Sequence, residues 1–448
     1  MPPLVTWYGD DFTGSAAVME VLAFAGIGSV LFCDIPDRPL LERFAGAQAI
    51  GIASTARTRS PDWMAQNLPA PLAFLDRLGA PILHYKVCST FDSAPTSGNI
   101  GKAIEIGLSI RPADGVPLLT AAPPMRRYQA FGHLFAATLE GVYRLDRHPV
   151  MARHPVTPMD ESDLLRHLAR QTDLPSALID LEALRTQPQS ALEEALAQGA
   201  RILSIDSVDP DTEAAAGKLV WENRGRLGLV AGSQGVEYAL VRHWQDIGMI
   251  PPAEPPEGAG RVKLVAAVSG SVSPVTARQI AWAAANGFEI IRFDAARALE
   301  MPNAEDLVSD AVAAGIAAAQ KGASPLVCSA LGPEDAGVAG VRRAIARSGV
   351  DPAEANERIG LALGRILDGI LTGSGIRRAV ISGGDTSGQA MRVLGLSALT
   401  ALAPTIPGAS LCVAHGSGRH DGLQIALKGG QMGSEDFFGW IREGGGPR

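Results

Sequence analysis

The chain has 448 residues, more than one compact core usually holds, so two domains are expected. It is 46% hydrophobic and 19% charged, which excludes a disordered chain. The formal net charge of −8 excludes nucleic acid or an anionic membrane as the main partner, because both need a basic surface.

Leu4 to Tyr8 reads as a buried strand that runs into Gly9-Asp10-Asp11-Phe12-Thr13-Gly14-Ser15, and apolar spacing predicts a helix over Ala16–Ala25. Ligands of open α/β sheets sit at such strand ends. Two adjacent carboxylates there are costly unless they bind a cation or accept hydrogen bonds from hydroxyls. The plainer alternative is Asp11 as an N-cap. Ser29–Cys33 and Gln48–Ala53 read as the next strands. The loop Ser54-Thr55-Ala56-Arg57-Thr58-Arg59-Ser60 then sets two arginines among hydroxyls, which suits a carboxylate or phosphate. Pro81–Val87 is a further strand, leading into Cys88-Ser89-Thr90-Phe91-Asp92-Ser93-Ala94-Pro95, after which Gly98-Asn99-Ile100-Gly101 opens a helix. Lys86, Asp92 and Asn99 are available at this end. The repeated order of strand, polar loop and helix predicts mostly parallel sheets with helices on both faces. Several strand ends rich in Asp, Ser, Thr, Arg and Lys would converge on a polyol.

A basic loop, Arg144–Met159, contains His148 and His154 without metal-ligand spacing and reads as a structural or substrate-covering segment. Ala200–Ile205 and Leu227–Val230 read as strands that complete a first domain. Residues 250–260, rich in proline and glycine, read as a linker between domains at 1–249 and 261–448.

Beyond the linker the α/β pattern restarts. Leu264–Val268 reads as a strand, Ser269–Pro274 as its loop and Val275–Ala285 as a helix. Leu326–Ser329 is another strand and Ala353–Leu371 a long helix. Val380-Ile381 then ends a strand before Ser382-Gly383-Gly384-Asp385-Thr386-Ser387-Gly388, with a helix expected from Gln389. A strand, a glycine turn and a helix N-terminus make an anion site, because unpaired N–H groups and the helix dipole face the loop. Thr386 and Ser387 are placed to cap that helix or hold a phosphate oxygen. Leu423–Lys428 is the last strand, followed by Gly429-Gly430-Gln431-Met432-Gly433. Three small-residue turns after strands are what main-chain cradling of a triphosphate requires. The sequence has no GxxxxGK[ST], no GxGxxG after a strand and no GxSxG, so a nucleotide site here is of a less common type.

The four cysteines, Cys33, Cys88, Cys328 and Cys412, form no CxxC pair, which speaks against a zinc site or a disulfide framework. Met1-Pro2-Pro3-Leu4 lacks a signal-peptide pattern, no apolar run is long enough for a bilayer, and a cytoplasmic location is expected.

Gly9-Asp10-Asp11-Phe12-Thr13-Gly14 resembles the opening motif of the four-carbon acid sugar kinases. Tyr85-Lys86-Val87-Cys88-Ser89-Thr90-Phe91-Asp92-Ser93 with Gly98-Asn99-Ile100-Gly101 resembles the 3-oxo-tetronate kinase branch. Gly132-His133-Leu134-Phe135, His154-Pro155-Val156-Thr157-Pro158-Met159, Ser269-Gly270-Ser271, Gly383–Gly388 and Lys428–Gly433 also match, in order along the whole chain. The resemblance implies an N-terminal acid-sugar domain and a C-terminal ATP domain, each a three-layer α/β/α unit, with the active site in the cleft between them. It implies Mg²⁺-ATP as phosphoryl donor and the terminal hydroxyl of a short sugar acid as acceptor, 3-oxo-tetronate giving its 4-phosphate. By position, Asp10, Asp11, Thr13, Arg57 and Lys86, with Ser89, Asp92 and Asn99, line the acid-sugar site. Asp10 and Asp11 are the catalytic candidates, and Arg57 or Lys86 would hold the carboxylate. Ser271, Gly383, Gly384, Asp385, Thr386, Ser387 and Gly430 contact ATP. No metal ligand is assigned, and a homodimer is left open.

One stretch departs from the branch. Ala121-Ala122-Pro123-Pro124-Met125-Arg126-Arg127-Tyr128-Gln129 carries two extra arginines, which opens the choice to 3-oxo-isoapionate, threonate or erythronate. Two rival readings are an acid-sugar dehydrogenase, opposed by the missing GxGxxG, and a non-catalytic sugar-acid sensor.

Overall fold

The computed structural model describes residues 2–138, 140–153, 157–254, 256–300 and 304–448, with all side chains except those of Ala353 and Asp385. His154, Pro155 and Val156 of the sequence motif and Pro255 of the linker lie outside the described residues. The chain divides into two compact α/β/α units, Met1–Glu254 and Pro255–Arg448.

In the first unit the strands are β1 (Val5–Gly9), β2 (Ser29–Phe32), β3 (Ala49–Ala53), β4 (Ile82–Lys86), β5 (Val116–Leu119), β6 (Arg127–Ala130), β7 (His133–Ala137), β8 (Val142–Arg144), β9 (Ser176–Ile179), β10 (Ile202–Ile205) and β11 (Leu229–Gly232). The main sheet runs β2-β3-β1-β4-β11-β5-β10-β9, and each neighbouring pair is parallel. β1 through β5 are buried along their whole length, which is why they read as apolar runs rather than alternating ones. Close packing is visible at Gly51, where a Cβ would lie 2.0 Å from the Trp7 ring. β6, β7 and β8 form a separate antiparallel sheet, to which the sequence pattern assigns no strand. Only Gln129, Leu134 and Ala136 of it are buried, too few and too mixed in polarity to give a continuous or alternating apolar signature.

The second unit contains β12 (Ala266–Ser269), β13 (Phe288–Arg292), β14 (Ser324–Cys328), β15 (Arg378–Ser382), β16 (Leu396–Ala403), β17 (Leu411–Gly416) and β18 (Leu423–Lys428). Their order is β13-β14-β12-β15-β18-β17-β16. The first five are parallel neighbours, while β17 pairs antiparallel with both β18 and β16. The helix Pro352–Ser374 packs along the helix Gly384–Val393. Gly364 permits this approach, since a Cβ there would lie 2.9 Å from Ala390 Cα. Arg378, 1% exposed, ties the stretch after the proline-rich segment to the C-terminal helix by donating to Gly260 O at 2.8 Å and Ile441 O at 3.1 Å.

Candidate active site

β3, β1 and β4 are adjacent parallel strands, so their C-terminal ends meet. Asp10 and Asp11 follow β1, Arg57 follows β3, and Lys86 ends β4. The backbone knits these ends together. Asp10 N donates to Lys86 O at 3.0 Å, Arg57 N to Asp10 O at 2.9 Å, and Ser54 Oγ to Gly9 O at 2.8 Å.

The Arg57 guanidinium donates to both Asp10 oxygens, at 2.7 and 3.2 Å, and to Asp11 Oδ1 at 2.6 Å. Asp11 is also the N-cap of the helix Phe12–Phe24, taking Gly14 N at 2.9 Å, and its Oδ2 accepts from Thr13 Oγ1 at 2.7 Å. The cap reading and the site reading are thus both true of one residue. Gly14 is where the groups converge. A Cβ there would lie 2.4 Å from Asp11 Oδ1, 2.9 Å from Lys86 Nζ and 3.4 Å from an Arg57 nitrogen. Lys86 is 1% exposed and spends one hydrogen bond on Val87 O, at 2.6 Å.

The two aspartates are pushed apart electrostatically. Burial raises the Asp10 carboxyl above its ordinary range, and the Arg57 charge offsets this only in part. Burial also works upward on Asp11, but Arg57, Lys86, Thr13 and the Gly14 N–H outweigh it and hold Asp11 below the usual carboxylate range. The Asp11 side chain is 20% exposed and that of Asp10 3% exposed, so Asp11 is the carboxylate a ligand can reach.

The loop after β4 adds Cys88, Ser89, Thr90 and Asp92. Thr90 Oγ1 donates to Asp92 Oδ1 at 2.7 Å, and Phe91 stands in the left-handed region at φ 57°. Asn99 does not join the cluster as a donor. It caps the helix Ile100–Ile110 through Lys102 N at 2.6 Å, and its amide donates to Pro95 O at 3.1 Å, so both ends of the side chain are spent locally. Arg127, at the start of β6, feels the Cys88 and Asp92 groups. Burial lowers its pKa, and its Nε is buried without a hydrogen-bond partner among the described residues. Its signal was in the sequence, as one of the two extra arginines, but the spacing could not say where β6 would carry it.

In the second unit the ends of β12, β15 and β18 lie side by side and are joined by Gly270 N to Ser382 O at 3.0 Å and Gly383 N to Lys428 O at 2.9 Å. Gly383 has φ 128°, a conformation that excludes other residues without strain. The helix that follows begins at Gly384, five residues before the sequence reading placed it, with Gly383 as its N-cap. The glycine-rich run is therefore the first helical turn itself, whose leading N–H groups have no intrahelical acceptor. This corrects two details. Ser387 is fully buried and donates to Gly383 O at 2.8 Å, so it braces the turn and does not line the cavity. Thr386 is not the cap but faces Gly270, where a Cβ would lie 2.3 Å from its Oγ1. The Asp385 side chain lies outside the described set.

Gly270, Ser271, Gly383, Gly384, Thr386 and Gly430 line one end of a cavity of about 490 Å³. Its other end is apolar, with Val338, Val341, Ile345 and Ile359, and with Asn356 and Arg342 as polar groups. This apolar wall comes from the helices Ala336–Ser348 and Pro352–Ser374 and went unseen in the sequence, where it is indistinguishable from ordinary helix packing. Size and lining suit a nucleotide, with phosphates on the glycine turns and the base against the apolar helices. Among the described residues no group of three or more His, Cys, Asp or Glu could hold a metal ion. Nor is any described helix long and apolar enough to cross a membrane.

A nucleotide-sized cavity in one α/β unit and a charged, hydroxyl-rich cluster in the other define a phosphotransferase. Residues 5–240 match the family described as "Sugar-binding N-terminal domain", and residues 266–438 the "Nucleotide-binding C-terminal domain". The chain belongs to the four-carbon acid sugar kinase family and is a kinase. It is 47% identical to a 3-oxo-isoapionate kinase of Paraburkholderia graminis, over 98% of this chain and 94% of the relative. To a 3-oxo-tetronate kinase of Methylobacterium radiotolerans it is 32% identical, over 96% of each. The fold is shared with a crystal structure of a Haemophilus influenzae protein of the DUF1537 family, at a TM-score of 0.71 and 21% identity, covering 98% of this chain and 99% of that one.

Proposed function

We propose that this enzyme transfers the γ-phosphoryl group of ATP to the terminal hydroxyl of a short 3-oxo sugar acid, with 3-oxo-isoapionate ahead of 3-oxo-tetronate. The observation that carries the chemistry is the convergence of Asp11, Lys86 and Arg57 over Gly14. In this reading Asp11 accepts the hydrogen bond of the attacking hydroxyl and orients it. Asp10 acts behind it by fixing Arg57 with two hydrogen bonds. A carboxylate held ionised suits phosphoryl transfer, which depends on positioning and charge neutralisation more than on strong base catalysis.

Arg57 is already engaged by two carboxylates, so the substrate carboxylate falls to Lys86 and Arg127, which keep unspent donors. The main-chain N–H groups at Ser271, Gly384–Thr386 and Gly430 hold the phosphates. The described residues offer no magnesium cage of their own, so Mg²⁺ enters as the counter-ion of the ATP phosphates. The 47% identity to a 3-oxo-isoapionate kinase across both units weighs toward that acid, as do the added arginines.

An ADP-release assay on 3-oxo-isoapionate, 3-oxo-tetronate, threonate and erythronate tests this. The expected result is the highest kcat/KM on 3-oxo-isoapionate. A tenfold preference for 3-oxo-tetronate would move the substrate, and no ADP from any acid would remove the reading.

A further inference from the structure

Lys428 is 0% exposed at the end of β18, and among the described residues no carboxylate acts on it. Its Nζ donates to Gly429 O at 3.1 Å and to Thr276 Oγ1 at 3.2 Å. Thr276 Oγ1 lies 3.0 Å from Ser271 Oγ and 3.0 Å from Gly430 O. Ser273 Oγ also donates to Gly430 O and lies 3.2 Å from Thr276 Oγ1, so Ser271 Oγ and Gly430 O are the two acceptors within reach of the single Thr276 proton. Ser271 and Gly430 both line the cavity. Lys428 pairs in register with Ser382, and Ser382 with Ser269, so the three side chains share one face of the sheet. Both serine hydroxyls are buried without a hydrogen-bond partner among the described residues. A cation and two orphan hydroxyls thus lie in one dry row beneath the glycine turns, a costly arrangement for a site that never meets an anion.

We propose that Lys428 is a positioning residue for the nucleotide: its ammonium orders a hydroxyl chain through Thr276 so that Ser271 presents its proton to a phosphate oxygen. The direction follows from donor arithmetic. An ammonium has no acceptor, so Thr276 accepts from it; in this chain its one proton goes to Ser271 Oγ, and Gly430 O is met by Ser273. Ser271 Oγ, having accepted, directs its own proton into the cavity. This rests on the cavity being the nucleotide site, as proposed above.

The arrangement has a proton signature. Burial pulls Lys428 down to about 7, and no described acid, arginine or histidine contributes to that shift. The titratable groups on the elements around it are Arg378 of β15, Cys412 and His415 of β17, Arg278 of the helix Pro274–Ala285, and Asp385 and Arg392 of the helix Gly384–Val393, the Asp385 side chain being outside the described set. A bound polyphosphate favours the charged lysine, so nucleotide binding draws a proton from solvent. At pH 8 that is about 0.9 proton per nucleotide if the bound lysine regains a pKa near its ordinary value.

Titration calorimetry of MgADP at pH 8, in two buffers of different ionisation enthalpy, counts this proton. The wild-type enzyme is expected to take up more than about 0.5 proton. Lys428→Met is expected to bind MgADP at least tenfold more weakly with an uptake near zero. A purely structural lysine would lower the melting temperature of that variant without moving the wild-type proton count. Wild-type uptake below about 0.2 overturns the inference, as does unchanged uptake in Lys428→Met. If that variant does not fold, the wild-type count decides alone. MgADP binding without uptake sinks the lysine role and leaves the nucleotide site standing; no binding at all sinks the site.

Discussion

Replacing Arg57 by Met removes the cation that the buried Asp10 and the partly exposed Asp11 share while keeping much of the side-chain volume. The three hydrogen bonds lost run to Asp10 Oδ1, Asp10 Oδ2 and Asp11 Oδ1. Breaking one side of a buried ion pair costs about 3–5 kcal/mol, because the partner stays buried and charged. The Arg57 side chain is 20% exposed, so screening places the cost at the low end, about 3 kcal/mol. For a unit of this size each kcal/mol shifts the midpoint by about 2–4 °C, giving a drop of about 6–12 °C.

The pH dependence has a definite sign. In the wild type Asp11 titrates below its unfolded value, so its contribution is present above that value and lost as pH falls through the folded pKa. Without Arg57, burial raises Asp10 further, opposed only by Lys86, and Asp11 keeps Lys86, Thr13 and the Gly14 N–H but loses its strongest counter-charge, so both aspartates move upward. A raised acid contributes less stability as pH rises. The penalty of Arg57→Met is therefore largest at pH 8 and shrinks toward pH 5. Scanning calorimetry at the two pH values reads this directly. A drop below 2 °C at pH 8, or an equal drop at both, would refute the electrostatic account.

Two further outcomes follow from the acid-sugar site. Asp11→Asn keeps the shape and the Gly14 cap but removes the accepting charge; kcat is expected to fall at least about 100-fold with little change in the KM for ATP, and unchanged turnover would take Asp11 out of the reaction. Arg127→Met should raise the KM for the sugar acid about tenfold or more and leave the KM for ATP alone; equal rises in both would mean that β6, not the guanidinium, was disturbed.

How far the site is legible from sequence depends on where each signal is stored. Asp10-Asp11 at the end of Val5–Gly9 and the glycine turn after Arg378–Ser382 announce themselves, since an apolar run that stops at glycine and small polar residues has local causes. Asn99 and Ser387 are drawn into local hydrogen bonds for an equally local reason. Their side chains satisfy helix-end backbone groups first, a demand that short polar residues meet anywhere. The helix start at Gly384 was missed because glycine, Asp, Thr and Ser have weak helix propensity, yet the packing against Pro352–Ser374 holds them helical.

Residue order alone established two α/β units and their strand ends, because burial of parallel strands and the chemistry of their loops are written in short contiguous stretches; the kinase family came from the resemblance of its motifs. Residue order could not establish that positions 11, 57 and 86 meet over Gly14, that Arg127 arrives from a small antiparallel sheet, or that Lys428 reaches Ser271 through Thr276. Those neighbourhoods follow from which strands pair with which, and pairing is settled by the free energy of burying whole faces together. No short segment contains that quantity; only the folded chain does.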